Sequence, residues 1–193
     1  IAKGLYEEVL KIDPNHFESI FLLGTLCAQS KSFEEARQLL YKATQINPNF
    51  ADAHNNLGNV LKELQDNEKA MISYKKSIEV QPNFAPAHNN IGTLFLEMNE
   101  RQKAISFFQK AVELQPNFIE ALNNLGSVLE QSHPEKAIKY YEQAIQINPN
   151  YAETHYNFGN MLREIGEHQK AINSYEKAIS LKSDHAKAYN NLL

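Results

Sequence analysis

NPNFADAHNNLG, residues 47–58, returns along the chain as QPNFAPAHNNIG (81–92), QPNFIEALNNLG (115–126) and NPNYAETHYNFG (148–159). A looser version, DPNHFESIFLLG, opens at Asp13, and SDHAKAYNNL runs from Ser183 to Leu192. Pro14, Pro48, Pro82, Pro116 and Pro149 stand 34, 34, 34 and 33 residues apart. Self-similarity at a fixed period outranks every other signal, because each unit can bury its apolar face only by stacking on its neighbours. A length of 193 residues would otherwise suggest one or two compact domains. A stacked array instead grows in one dimension and needs no central core.

Inside each unit the apolar pattern reads helix, short turn, helix, short turn. In the unit 51–84 the spacing predicts a first helix to Leu64 that buries Ala53, Leu57, Gly58, Val60, Leu61 and Leu64. It predicts a second helix, from Glu68 to Val80, that buries Ala70, Met71, Tyr74, Ile78 and Val80. Asn49 is expected as the N-cap, with Asp52 closing a capping box; Asn15/Glu18, Asn117/Glu120 and Asn150/Glu153 repeat the pairing. Pro82 ends the unit, since the residue before a proline is pushed out of helical geometry. Glycine inside a helix costs about 1 kcal/mol against alanine. Gly24, Gly58, Gly92, Gly126 and Gly159 in register therefore imply that two helix backbones approach closely there, each opposite an alanine such as Ala70.

Leu57, Gly58, Ala70, Tyr74 and Pro82, counted from Ala51, resemble the tetratricopeptide repeat (TPR) family, which has a small residue at position eight, alanine at twenty and proline near the end of 34 residues. His54, His88 and His155 stand at the family's aromatic fourth position, which Ile20, Leu122 and Tyr189 fill elsewhere. The resemblance covers one array, 1–193: a partial repeat 1–14, full repeats 17–50, 51–84, 85–118, 119–151 and 152–185, and a partial repeat 186–193. It implies an all-α fold, a right-handed TPR superhelix (α-solenoid) of antiparallel helix pairs whose first helices line the concave side. Two departures stand out. Gly126 to Ala137 is one residue short, with Pro134 expected at the first position of the next helix, and Arg37 and Thr44 occupy places that are apolar in the neighbouring units.

Positions five, six and nine of each first helix share a face distinct from the buried one. They read Asn55, Asn56, Asn59; then Asn89, Asn90, Thr93; then Asn123, Asn124, Ser127; then Tyr156, Asn157, Asn160; and Asn191 in the last helix. Asparagine is a mediocre helix former, so a column of it needs a reason. An amide both donates and accepts, which lets it pair with a peptide group whatever side chain that residue carries. Packed helices lie about 8–10 Å apart and an extended chain advances roughly 3.3 Å per residue. One asparagine per helix pair would thus reach about every third residue of a strand along the groove. The plainer reading of the same column is a set of amides bonded to neighbouring helices or to water.

The asparagine before each Leu-Gly makes the array most similar to the TPR region of O-linked N-acetylglucosamine transferase, where that residue lines the superhelix and holds substrate backbone. Asn56, Asn90, Asn124 and Asn157 occupy that place, and Leu22 breaks the series in the first unit. The resemblance implies a groove for a substrate or partner and does not imply sugar transfer by this chain. The family's carboxylate clamp for chaperone C-termini needs Lys or Arg at positions two, five and six, where this chain has acids and amides.

Composition narrows the classes further. A net charge of −4 without a Lys/Arg cluster argues against nucleic acid, and no apolar run approaches the length of a membrane span. The single cysteine, Cys27, excludes an internal disulfide and is expected as a small core residue. The recurrent histidines lie a helix pair apart, too far to share one metal ion, and no phosphate-cradling loop or catalytic motif occurs. The expectation is a non-enzymatic module with no cofactor and no metal that holds an extended segment of a protein partner. One alternative is homotypic assembly through repeat faces or uncapped ends carrying Tyr189, Leu192 and Leu193; the other is the substrate-recruiting segment of a larger transferase. The default location on these absences is the cytoplasm, with the nucleus as the other choice.

Overall fold

A computed structural model describes residues 2–192 as twelve helices with no strand. They are α1 (Ala2–Ile12), α2 (Phe17–Gln29), α3 (Phe33–Ile46), α4 (Ala51–Glu63), α5 (Asn67–Val80) and α6 (Ala85–Glu97). There follow α7 (Arg101–Leu114), α8 (Ile119–Leu129), α9 (Pro134–Ile147), α10 (Ala152–Glu164), α11 (His168–Leu181) and α12 (Ala186–Leu192). α2 and α3, α4 and α5, α6 and α7, α8 and α9, and α10 and α11 fall within the five stretches read above as full repeats; Leu193 lies outside the described residues.

The helix starts fall one residue later than the capping-box reading placed them. Phe50, Phe118 and Tyr151 are the N-caps of α4, α8 and α10, with no side-chain cap bond, and His16 caps α2 by accepting from the Ser19 amide. In three units the polar residue before the proline explains the shift. Asn47 Oδ1 accepts from the Asn49 amide at 3.2 Å, Asn148 from Asn150 at 3.0 Å, and Asp13 from Asn15 at 3.0 Å. These Asx turns leave the next residue, aromatic in most units, to enter the helix. Phe50 then meets Phe17 and Phe21 edge-on, at centroid distances of 5.3 and 5.1 Å.

The chain divides within α6 into two compact units, residues 1–94 and 95–193. In the first, helices α1 to α5 each pack on the next, and the first helices α2 and α4 also touch. Ile20, Ala43 and Ala53 form a core there beneath Phe17, Phe21 and Phe50. In the second, α7 to α12 pack in the same succession, and α8 touches α10. Phe108, Leu125, Val128, Leu129, Tyr141 and Met161 belong to its main core.

The mid-helix glycines make room for a side chain of the paired helix, not for its backbone as the sequence suggested. A β-carbon on Gly58 would stand 2.5 Å from the Tyr74 ring, on Gly126 2.8 Å from Tyr141, and on Gly159 2.6 Å from Tyr175. Gly24 does the same for Leu40, at 2.9 Å. Each tyrosine comes from the second helix of its own unit and packs against the glycine of the first.

The turn between paired helices has its own device. Lys31, Gln65 and Asn99 adopt φ of 61°, 64° and 59°, and Gly166 adopts 81°. The amides that follow donate back to Cys27, Leu61, Phe95 and Leu162 carbonyls at 2.8–2.9 Å, closing Schellman-type ends. In the fourth unit the missing residue is this one: Glu130 stays helical, the His133 amide donates to Leu129 at 2.8 Å, and Pro134 begins α9. A left-handed lysine is unfavourable by about 1 kcal/mol. Lys31→Gly is therefore expected to stabilise the first unit by about 0.5–1 kcal/mol in urea unfolding; an unchanged midpoint would mean that Lys31 gains as much from its side chain as it loses at φ.

Candidate functional site

Contact between α2 and α4 in the first compact unit, and between α8 and α10 in the second, gives each its own wall of first helices, and the asparagines stand on these walls at graded depth. Position five is sealed: Asn55, Asn89 and Asn123 are buried, with Asn55 only 5% exposed. Position six is half-buried in Asn56, Asn90, Asn124, Asn157 and Asn191. At position nine, Asn59 and Ser127 are exposed and Thr93 and Asn160 half-buried.

The amides are joined sideways. Asn56 Nδ2 donates to Thr25 Oγ1 at 3.2 Å, one repeat back. Asn90 Nδ2 donates to both Asn55 Oδ1 and Asn59 Oδ1, each at 2.9 Å. Asn59 Oδ1 also accepts from the Tyr74 hydroxyl at 2.9 Å. The second unit repeats this motif with different residues: Asn160 Oδ1 accepts from Tyr175 O–H at 2.9 Å and from Asn191 Nδ2 at 2.8 Å. Asn123 Nδ2 donates to Thr154 Oγ1 at 2.9 Å, while its Oδ1 is buried with no partner.

This wiring fixes what each rung can still offer. With Oδ1 of Asn59 engaged twice, its Nδ2 stays outside these bonds; with Nδ2 of Asn90 engaged twice, its Oδ1 does. Asn160 and Asn191 stand in the same relation. A donor and an acceptor per rung is what a peptide group requires. Asn59 and Asn56 also line a cavity of about 450 Å³ on the wall between α2 and α4, together with Thr25, Gln29, Lys31 and Glu63. The sequence reading missed Thr25 and the tyrosines; Thr25 stands at position nine of the first unit, so the column itself carried the signal.

Where position nine is a serine, the tyrosine finds another acceptor. Tyr141 O–H donates to Glu130 Oε1 at 2.6 Å. Burial raises the Glu130 carboxyl above the ordinary range, the Tyr141 bond pulls the other way, and Glu164 raises it further. A carboxyl raised in the folded state stabilises most below its unfolded pKa, and that contribution is lost as pH rises through the folded value. Glu130→Gln keeps an acceptor for Tyr141 without a charge to desolvate. Its stability relative to wild type is expected to be higher at about pH 7 and to converge at about pH 4. Equal urea midpoints at both pH values would remove the burial argument.

The histidines are structural stitches. His54, His88 and His155 are buried, each with Nε2 2.9 Å from a proline carbonyl (Pro48, Pro82, Pro149), tying a first helix to the turn before it. Cys27 is buried in α2. Among the described residues, no three His, Cys, Asp or Glu side chains gather as a metal site, and no helix is long and apolar enough to cross a membrane.

Helix pairs repeated in tandem define a helical-repeat array. Family models described as tetratricopeptide repeat match residues 51–84, 85–118 and 119–184, and one described as TPR repeat matches 24–65. The chain belongs to the tetratricopeptide repeat family. No curated protein sequence matches it. Among solved structures it is similar to Pseudomonas aeruginosa PilF, at 25% identity and TM-score 0.79 over 89% of this chain and 79% of that one. YrrB, described as a TPR protein with an unusual peptide-binding site, aligns at 21% identity and TM-score 0.64 over 96% of both chains. A chain of the APC/C hetero-tetramer Cut9–Hcn1 aligns at 16% identity and TM-score 0.90 over 99% of this chain but 38% of its counterpart. The last two likenesses concern the fold alone.

Proposed function

We propose that residues 1–193 act as one array that binds an extended segment of a partner protein along the first-helix wall, gripping its main chain. The observation that carries this is the repeated Tyr–Asn–Asn unit, Tyr74–Asn59–Asn90 and Tyr175–Asn160–Asn191, which holds each amide in place and leaves a donor group on one asparagine and an acceptor on the other outside these bonds. Asn56, Asn59, Asn90, Thr93, Asn124, Ser127, Asn157, Asn160 and Asn191 are the contact residues, and Asn55, Asn89 and Asn123 are their buried supports. The peptide-binding description of YrrB, a protein of the same fold, agrees with this assignment. Binding is the proposed role, not catalysis. A net hydrogen bond contributes about 0.5–1.5 kcal/mol, so four or five rungs give micromolar or weaker affinity once ordering costs are subtracted.

The test uses peptides selected by display on the purified chain. Main-chain recognition predicts that alanine substitutions in a selected peptide change Kd little, whereas N-methylation at every third residue weakens it about tenfold. The reverse pattern, side chains decisive and N-methylation silent, would falsify the ladder. A self-association reading draws on Tyr189, 47% exposed on α12; a rise in mass across a light-scattering concentration series, abolished by Tyr189→Glu, is what it requires. The transferase-recruiting reading adds only that the partner is an enzyme substrate.

A further inference from the structure

The repeats serve as internal controls for one another, and one seam departs from the rest. The residue after the recurrent alanine of each second helix is Met71, Ile105, Ile138 or Ile172, but Arg37 in the first unit. The next residue is polar in four units (Gln38, Ser106, Lys139, Asn173) and Ile72 in the second. Three places further on, Lys75, Gln109, Glu142 and Glu176 stand where the first unit has Tyr41. A cation has thus replaced a seam-filling aliphatic, and two large apolar side chains have replaced polar ones.

The consequence is a groove of about 660 Å³ between α3 and α5, on the side formed by second helices and away from the asparagine column. Leu57 and Leu61 form its buried floor, Tyr41 and Ile72 its walls at 58% and 67% exposure, and Arg37 and Lys69 its charged rim. The third repeat shows the place filled: Ile105, at Arg37's position, is buried in a core with Leu125 and Leu129, the counterparts of Leu57 and Leu61. A volume of this size is in the range of ligand pockets, about 300–1,000 Å³.

We propose that this groove docks an amphipathic helix of a partner protein, apolar along one stripe and acidic beside it. The groove lining holds two cations and no acid. Arg37 pairs with Glu34 at 2.9 Å and Lys69 with Asp66 at 2.6 Å, but both pairs are on exposed helix surface, where such contacts contribute little and can be exchanged. The occupant is helical because the walls are helices that offer no backbone donors or acceptors; an extended chain would bury unpaired peptide groups, whereas a helix satisfies its own.

The probe is a 16-residue-class synthetic peptide (roughly four helical turns) of Ala, Leu and Glu, with Leu at i, i+4 and i+7 and Glu flanking the stripe. Titrated into the labelled full chain, it should shift the amide resonances of α3 and α5. Ile72→Glu, on an exposed site, should weaken it tenfold or more, and so should Arg37→Ile, which fills the groove while restoring the other units' pattern. Exchanging Glu for Lys in the peptide should weaken binding at least tenfold, and Asn59→Asp, which keeps the acceptor for Tyr74 on α5, should leave it unchanged, which separates this groove from the wall proposed above. Three results overturn the proposal: equal binding by the Lys peptide, equal binding by a peptide broken with a central proline, or indifference to both groove variants. Self-association of the chain abolished by Ile72→Glu also overturns it, assigning the groove to a second copy.

Discussion

Tyr141→Ala is expected to destabilise the second unit by about 3–5 kcal/mol, and Gly126→Ala added to it is expected to restore about 1 kcal/mol. The same Gly126→Ala change in the wild type should instead destabilise. Tyr141 is fully buried in the core with Phe108, Leu125 and Met161, so truncation opens a cavity the neighbours cannot collapse into. A β-carbon on Gly126 would lie 2.8 Å from the ring edge, and the ring cannot retreat because its hydroxyl is held by Glu130 at 2.6 Å. Overpacking of that kind costs about 1–3 kcal/mol, which offsets alanine's better helix propensity of about 1 kcal/mol. Remove the ring and only the propensity gain remains. The sign reversal is the measurement. Because stacked repeats can unfold piecewise, hydrogen exchange of α8 and α9 amides should accompany the urea curves. Stabilisation by Gly126→Ala in both backgrounds would mean that the ring has room and that the glycines in register do not serve helix approach.

The period made the helix pairs legible, since apolar spacing and proline placement both repeat and any error in one unit is corrected by the next. The expected helix of Glu68 to Val80 differs from α5 only by starting at Asn67. Caps were less legible because Asn47 and Asn49 are the same residue type two apart, and either can cap. Only coordinates show that Asn47 turns onto the Asn49 amide and leaves Phe50 at the helix start. The depth of the asparagines was illegible for a related reason. Positions five and six are adjacent on a helix, and which of Asn55 and Asn56 is sealed depends on the tilt of the neighbouring helices. Arg37 was visible as an irregularity, but that it opens a groove beside Tyr41 and Ile72 follows from packing that no spacing encodes.

Asn59 allows structural and binding roles of the amide column to be separated, because its two side-chain groups face different duties. Asn59→Ala removes the acceptor shared by Tyr74 O–H and Asn90 Nδ2, and the expected cost is about 1–3 kcal/mol in unfolding free energy. Asn59→Asp keeps that acceptor and, at an exposed site, is expected to cost less than about 1 kcal/mol. What aspartate loses is the outward N–H, replaced by an oxygen that repels a peptide carbonyl. A display-selected peptide should therefore bind Asn59→Asp about tenfold more weakly or worse, although that variant melts near wild type. Asn160→Asp, which faces Tyr175 and Asn191 in the same geometry, should behave alike. If the aspartate variants bind the peptide as wild type does while the alanine variants unfold early, the amides exist to join helices, and the wall holds its partner by other groups.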